Sequence, residues 1–188
     1  MSTAIAGLDI TTFAVWARLS GLVPLVGITT GRCFAGNAIL LGCCDVIIAT
    51  EGSNIGVGGP AMIEGGGLGV FRPEEVGPMS VQVPNGVVDV PVADEAEAVR
   101  VAKKYLSYFQ GAVESWECAD QRILRGLVPD NRLRIYDIRK VIEAMSDKDS
   151  VLEIREKFGI GVITAFIRHH KAETLGICYY VTTYEVFL

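Results

Sequence analysis

The stretch GRCFAGNAILLGCC, residues 31–44, contains the residue types and spacing that point most directly to chemistry. A buried strand is predicted to end at Ile28, and a short helix is predicted to begin near Asn37. The backbone N–H groups of Ala35, Gly36 and Asn37 would then lie at a helix N-terminus, where the potential is positive. Small residues at 35 and 36 would let a substrate oxygen approach, as an oxyanion hole requires. A purely structural strand–turn–helix corner fits the spacing equally well.

Other catalytic side chains are scarce. Cys33 lies in the same corner and is a candidate nucleophile, but a buried structural thiol is the favoured interpretation because no histidine is close in sequence. The chain has two histidines, His169 and His170, and as neighbours they would face opposite sides of a strand. We expect them in a solvated loop, and we predict no metal site. The sequence contains no HExxH, P-loop or GxSxG pattern.

A second candidate binding element is the glycine-rich stretch GVGGPAMIEGGGLG, residues 56–69. Such a density of glycine predicts a loop rather than a regular element, and loops of this kind often lie against ligands. A dinucleotide fingerprint is rejected because Pro60 and the residues after it do not open a long helix. We predict that this loop contacts the substrate through Gly58, Gly59, Pro60, Gly65, Gly66 and Gly67.

Composition excludes several classes of protein. The 188 residues carry 17 Lys and Arg against 22 Asp and Glu, a formal charge of −5 without basic clusters, so nucleic acid is not an expected partner. No apolar stretch is long enough to cross a bilayer, and the N-terminus lacks a signal-peptide pattern. Five cysteines fit no disulfide or zinc framework. We therefore predict a cytoplasmic protein with reduced thiols and no membrane partner.

The predicted elements that must position these residues indicate a layered α/β domain. Strands alternate with helices in the first part of the chain and follow one another closely toward its C-terminal end. Residues 111–134 are polar and irregular, and they are predicted to form an internal linker. The predicted strands are 23–28, 45–50, 87–92, 150–155, 161–170 and 174–188, and the predicted helices are 10–20 capped by Asp9, 37–44, 95–109 capped by Asp94, and 136–144, with a short helical turn opened by Pro73.

The sequence resembles the carboxyltransferase (beta) subunit of biotin-dependent acyl-CoA carboxylases, the acetyl- and propionyl-CoA carboxylase type of the crotonase superfamily. The resemblance rests on VPLVGITTGRCFAGNAILLGCCDVIIAT, on the PEEVG and NGVVD turns, and on LVPDNRLRIYDIRKVIEAM, VLEIREKFG and GVITAFIR, which follow in the family's order. It covers roughly residues 5–177. The fold it implies is the crotonase-like layered spiral of ββα units, here incomplete, with residues 1–188 as one partial N-terminal carboxyltransferase domain.

The resemblance also implies a mechanism that explains the scarcity of catalytic side chains. In this family, carboxybiotin on a partner carrier protein supplies carbon dioxide, and the biotin ureido anion takes the α-proton of the acyl-CoA. The protein supplies positioning and backbone N–H groups. The residues that match the family's oxyanion corner are Ala35 and Gly36, whose N–H groups would face either the biotin carbonyl or an acyl thioester carbonyl. Ala35 departs from the glycine that is usual there. The implied partners are acyl-CoA, a biotin carboxyl carrier and a biotin carboxylase.

Three interpretations remain open from the sequence. The first is a carboxyltransferase acting on acetyl- or propionyl-CoA, in a homo- or hetero-oligomer that supplies a complementary half, since the match covers only part of the family's first half. The second is a truncated, non-catalytic fragment that binds acyl-CoA or docks on partners. The third is an acyl-CoA hydratase or isomerase, for which the available acids are Glu64, Glu74 and Glu75.

Overall fold

The computed structural model describes residues 4–5, 8–9, 11–111, 113–131, 133–169 and 177–182. These residues divide into two compact units, Met1–Ala102 and Lys103–Leu188, and the division falls within one helix. The predicted linker, 111–134, lies inside the second unit and carries two short helical segments there. The assignment of the whole chain to one carboxyltransferase domain stays a prediction.

The first unit contains most of the elements that surround the candidate corner. After the short strands β1 (Ala4–Ile5) and β2 (Leu8–Asp9), its elements are α1 (Thr12–Ala17), β3 (Val26–Thr29), β4 (Arg32–Phe34), α2 (Gly36–Gly42), β5 (Val46–Thr50), β6 (Asn54–Gly56), α3 (Pro60–Gly65), a 3₁₀ turn (Pro73–Glu75), α4 (Met79–Gln82), β7 (Val90–Val92) and the start of α5 (Glu95–Ser107).

These elements form a spiral of ββα repeats. The first repeat is β3–β4–α2 and the second is β5–β6–α3. The first strand of each repeat joins one parallel sheet, in the order β3-β5-β7, and the second strands pair in parallel as β4-β6. This is the architecture that the resemblance implies, so the predicted fold class is confirmed.

The core of the spiral explains why β5 reads as an unbroken apolar run. All five residues of β5 are buried, as expected of a strand covered on both faces. Helix α2 packs close to β3, since a Cβ at Gly27 would lie 2.4 Å from the Leu41 Cδ1 atom. One buried carboxylate joins β7 to its neighbour: Asp89, directly before β7, accepts through Oδ2 from the Ile47 N–H of β5 at 2.7 Å.

The second unit contains the remainder of α5, a 3₁₀ turn (Gln121–Ile123), α6 (Leu124–Leu127), α7 (Ile138–Met145) and the antiparallel sheet β10-β9-β8, formed by β8 (Leu152–Ile154), β9 (Val162–Ile167) and β10 (Ile177–Thr182). Its core joins Ile142 of α7 to Ile163, Ala165 and Ile167 of β9. The Tyr105 and Phe166 rings meet edge to face, with centroids 5.1 Å apart.

Several predicted elements are confirmed, and others are wrong. Asp94 caps α5 as predicted, because its Oδ1 accepts from the Glu97 N–H at 2.8 Å. The predicted helix 10–20 is shorter, and Asp9 belongs to β2 opposite Ala4 instead of capping it. The predicted corner contains a strand, β4, because its backbone hydrogen bonds are made with β6.

The prediction that the glycine-rich stretch holds no regular element is also wrong. Strand β6 ends at Gly56, where the backbone is paired with β4, and α3 begins at Pro60. Proline is favoured at the first position of a helix, where its missing N–H costs nothing. In the described part of the chain, no helix is both long and apolar enough to cross a membrane.

Candidate functional site

The candidate site is the turn from β4 into α2. Ala35 is the residue between the two elements, and its backbone adopts φ 54° and ψ −127°. Its N–H donates to the Gly56 carbonyl at 3.2 Å, and its carbonyl accepts from the Ile39 N–H at 3.2 Å. Ala35 thus makes the last hydrogen bond between β4 and β6 through its N–H, and the first hydrogen bond of α2 through its carbonyl.

This geometry changes which amides are available. The Ala35 N–H, predicted as an oxyanion donor, is already engaged by Gly56. The amides of Gly36 and Asn37 open α2, whose N-cap residue makes no side-chain cap, and they have no acceptor in the part of the chain that the structure describes. The oxyanion prediction therefore depends on Gly36 and its neighbour Asn37 rather than on Ala35.

The conformation of Ala35 is costly for a residue with a Cβ atom. A non-glycine residue in such a sparsely populated region of backbone space is disfavoured by about 1–3 kcal/mol. We expect Ala35→Gly to raise the free energy of unfolding by about 1 kcal/mol in urea titrations. The matched control is Ala38→Gly, which makes the same change inside α2 and should lower stability by about 1 kcal/mol. Destabilisation by Ala35→Gly would contradict the strain at this turn.

The glycines predicted to bind substrate lie at and near the two ends of α3. Gly59 is the N-cap residue of α3, and Pro60 follows as its first residue. At the other end, the Gly66 N–H donates to the Met62 carbonyl at 3.0 Å, and Gly67 follows with φ +71°. A Cβ at Gly65 or Gly67 would have no neighbour within 4 Å, whereas one at Gly59 would contact Phe34 at 3.6 Å, and one at Gly58 would have Met62 Cβ at 4.0 Å. Their contact with substrate stays a prediction.

The thiol and histidine candidates belong to different units of the chain. Cys33 is 9% exposed and lies on β4, and burial raises its pKa, so the thiol is protonated at neutral pH. His169 is half-buried after β9 in the second unit, and His170 lies outside the described residues. Within the described residues, no group of three or more His, Cys, Asp or Glu side chains could hold a metal ion.

The carboxylates that a hydratase or isomerase would use are exposed, and two of them form ion pairs with arginines. Glu74, in the 3₁₀ turn, forms an ion pair with Arg32 of β4, and Glu75 pairs with Arg72 at 3.2 Å. A hydrogen bond from its own backbone N–H and one from Arg32 lower the Glu74 pKa. A carboxylate that is harder to protonate is a weaker general base, which argues against a hydratase role for this residue.

The lowered pKa of Glu74 can be tested directly. In a carbon-detected NMR titration, the Glu74 carboxyl should protonate at lower pH than an unperturbed glutamate. Arg32→Gln should raise that pKa partway, because the backbone hydrogen bond remains. Arg72→Gln, which removes the partner of Glu75 and a minor influence on Glu74, is the control. No shift in Arg32→Gln would show that the ion pair is not formed in solution.

Sequence reasoning missed the residues that hold the loop 74–78 against β6. Asn54, 6% exposed, donates from Nδ2 to the carbonyls of Glu74 and Val76, each at 3.1 Å. The Ile55 N–H donates to the Gly77 carbonyl at 2.9 Å, and Gln82 Nε2 donates to the Ile55 carbonyl at 2.7 Å. The signal in the sequence was a pair of polar residues, Ser53 and Asn54, three and four positions after the end of a buried strand.

Comparison with known protein families decides what this fold is. The profile of the carboxyl transferase domain matches residues 9–177, nearly the whole chain. The chain belongs to the carboxyl transferase domain family. This member is similar to the 12S subunit of methylmalonyl-CoA carboxyltransferase from Propionibacterium freudenreichii, with 29% identity over 80% of the chain and 30% of the relative. It is 27% identical to the propionyl-CoA carboxylase beta chain of Rhodococcus erythropolis, over 88% of the chain and 36% of the relative.

Solved structures agree with the family. The carboxyl transferase segment superposes on a single-chain, multi-domain long-chain acyl-CoA carboxylase with a TM-score of 0.84 and 56% identity, covering 95% of this chain and 18% of that one. Transcarboxylase 12S, described as a hexamer, shares the fold with a TM-score of 0.73 and 24% identity, over 93% of this chain and 35% of that one. The segment spans about a third of the length of the curated relatives that it matches.

Proposed function

We propose that this chain is a segment of the carboxyltransferase of a biotin-dependent acyl-CoA carboxylase, which moves a carboxylate from carboxybiotin to an acyl-CoA. The observation that carries the proposal is the family match over residues 9–177, together with the ββα spiral that places the β4–α2 turn. Biotin on a partner carrier protein, a biotin carboxylase and acyl-CoA are the proposed partners. Assembly into an oligomer is proposed from transcarboxylase 12S. A cytoplasmic location stays a prediction.

In this proposal, the chain's own residues bind and polarise the acyl thioester rather than move its proton. The Gly36 and Asn37 amides would donate to the thioester oxygen as negative charge develops on it, which is the role of an oxyanion hole. Bound carboxybiotin supplies both the carbon dioxide and the base. The residues around the turn are consistent with a base supplied by the cofactor. Cys33 is a buried neutral thiol and Glu74 is paired with Arg32, so neither is a strong base.

We further propose that the acyl group is a long chain. Identity to the long-chain acyl-CoA carboxylase is 56%, whereas identity to the propionyl-CoA carboxylase beta chain and the methylmalonyl-CoA carboxyltransferase is 27% and 29%. The higher sequence identity to the long-chain enzyme favours long-chain substrates over the acetyl- or propionyl-CoA suggested by the sequence alone.

The experiment uses the single-chain carboxylase as a host. The segment of that enzyme equivalent to this chain is replaced by residues 11–169, and the hybrid is assayed for bicarbonate fixation with acetyl-, propionyl- and palmitoyl-CoA. We expect turnover with a preference for palmitoyl-CoA. The control is the host with its own segment.

Two results would count against these assignments. A folded hybrid that fixes no bicarbonate with any acyl-CoA would overturn the carboxyltransferase assignment. A hybrid that prefers propionyl-CoA, in a host that prefers palmitoyl-CoA, would overturn only the chain-length assignment.

A further inference from the structure

The hydroxyl of Ser53 is the buried centre of the hydrogen bonds that hold the turn between β3 and β4, and β4 leads to the candidate site. Ser53 lies between β5 and β6 and is 2% exposed. Its Oγ accepts from the Gly31 N–H at 3.1 Å and donates to the Thr29 carbonyl at 3.0 Å. It also lies 3.0 Å from the Thr50 Oγ1 atom.

These contacts use the full capacity of the group. A serine hydroxyl has one hydrogen to donate and two lone pairs to accept with. Because the hydrogen goes to Thr29, Thr50 must be the donor in the third contact. A hydroxyl in which every donor and acceptor is used fixes the positions of its partners, and its removal leaves them unsatisfied in a buried place.

The position of Ser53 connects it to the amides of α2. The next residue, Asn54, begins β6, and its N–H donates to the Gly31 carbonyl at 2.9 Å. From there β4 runs parallel to β6 for three residues, and the ladder ends at the hydrogen bond from Ala35 to Gly56. The Gly36 amide follows directly. Ser53 therefore holds β4 at its N-terminal end. The other end of the β4–β6 pairing, at Ala35 and Gly56, sets the direction of the Gly36 amide.

We propose that Ser53 is a positioning residue for the reaction: its hydroxyl sets the register of β4 on β6 and thereby the direction of the Gly36 amide. The role in the reaction rests on the proposed function, but the effect on the ladder does not. A displacement of the oxyanion donor of about 1 Å is enough to reduce the rate by roughly a hundred-fold.

The test compares Ser53→Ala with Thr50→Val. Both remove a buried hydroxyl from the same cluster, but Thr50→Val leaves the bonds from Ser53 to Gly31 and Thr29 in place. Ser53→Thr keeps the hydroxyl and is the rescue variant. In the 188-residue chain, amide hydrogen exchange of Ala35 and Asn54 is measured relative to that of Ile48 in β5, which corrects for changes in overall stability.

We expect Ser53→Ala to speed the relative exchange of Ala35 and Asn54 at least about ten-fold, and Thr50→Val to change it less than about three-fold. In the hybrid carboxylase, Ser53→Ala should lower kcat about ten-fold or more with a smaller change in KM, and Ser53→Thr should recover most of kcat.

Equal relative exchange in Ser53→Ala and Thr50→Val would overturn the proposal, because Ser53 would then act only on general stability. Faster exchange with an unchanged kcat would overturn the positioning role in the reaction. If the hybrid with residues 11–169 unaltered does not turn over, the proposed function has failed, and the exchange measurement still decides whether Ser53 sets the ladder.

Discussion

Gly77→Ala is expected to be among the most destabilising single-methyl changes in the chain. Gly77 has φ +57°, and a Cβ there would lie 1.8 Å from the Ile55 carbonyl oxygen. The neighbour is backbone within the β6 strand, so it cannot rotate away. Forced repacking costs about 1–3 kcal/mol and a left-handed alanine costs about 1–2 kcal/mol more. We expect a loss of about 3 kcal/mol or more in the free energy of unfolding, measured by urea titration.

The matched control is Gly52→Ala. Gly52 lies between β5 and β6 in an exposed turn, and a Cβ there would meet nothing within 4 Å. This control should change the free energy of unfolding by less than about 0.5 kcal/mol. Equal effects of the two substitutions would refute the close approach of Gly77 to β6. Since Ile55 also donates to the Gly77 carbonyl, the damaged variant should lose the β4–β6 ladder as well.

The second large effect is expected on turnover. Gly36→Pro deletes the N–H at the first position of α2, where proline is tolerated by the helix. Ala35, which precedes it, lies outside the α region that a following proline disfavours, but its φ of 54° is not the extended conformation that proline favours. Thermal melting of Gly36→Pro must therefore show an intact fold before kcat is compared. Loss of one oxyanion donor costs about 3 kcal/mol of transition-state stabilisation, so kcat of the hybrid carboxylase should fall roughly a hundred-fold or more.

Two variants separate loss of the donor from other causes. Gly36→Ala adds a Cβ at the same place, 3.2 Å from Phe13 Cζ, but keeps the N–H. It should retain most of the activity, and thermal melting of both variants shows whether the fold is equally affected. Cys33→Ala should leave turnover within a few-fold. If Cys33→Ala abolishes turnover and Gly36→Pro does not, a thiol mechanism replaces the oxyanion hole.

Much of the fold was predictable because its signals are local. The buried run of β5 and the acidic cap of α5 depend on residues within a few positions of each other, and both were found. Strand β4 was missed because its three residues form a strand only through pairing with β6, and no periodicity over three residues can show that. Helix α3 was missed because glycines surround it, and these glycines predicted a loop. Two of them, Gly59 and Gly66, are instead the capping residues of the helix.

The candidate site was predictable in place but not in detail. Small residues before a helix located the corner, yet nothing in the sequence shows that the Ala35 amide is engaged by Gly56, which follows twenty-one positions later in another strand. The Ser53 hydroxyl was missed for the same reason: its partners at Thr29 and Gly31 come from the preceding repeat. Hydrogen bonds between repeats require the spiral to exist before they can be recognised.

The parallel spiral also has a consequence for the order in which the chain folds. The β3–β5 pairing joins Val26 to Val46, whereas β5–β7 joins Ile48 to Val90, roughly twice as far along the chain. Each doubling of a closed loop costs about 0.6 kcal/mol of chain entropy. The nucleus should therefore contain β3 and β5, with β7 added after the rate-limiting step. Core truncations in β3 and β5 should slow folding, and those in β7 should mainly speed unfolding; the reverse pattern would place the nucleus elsewhere.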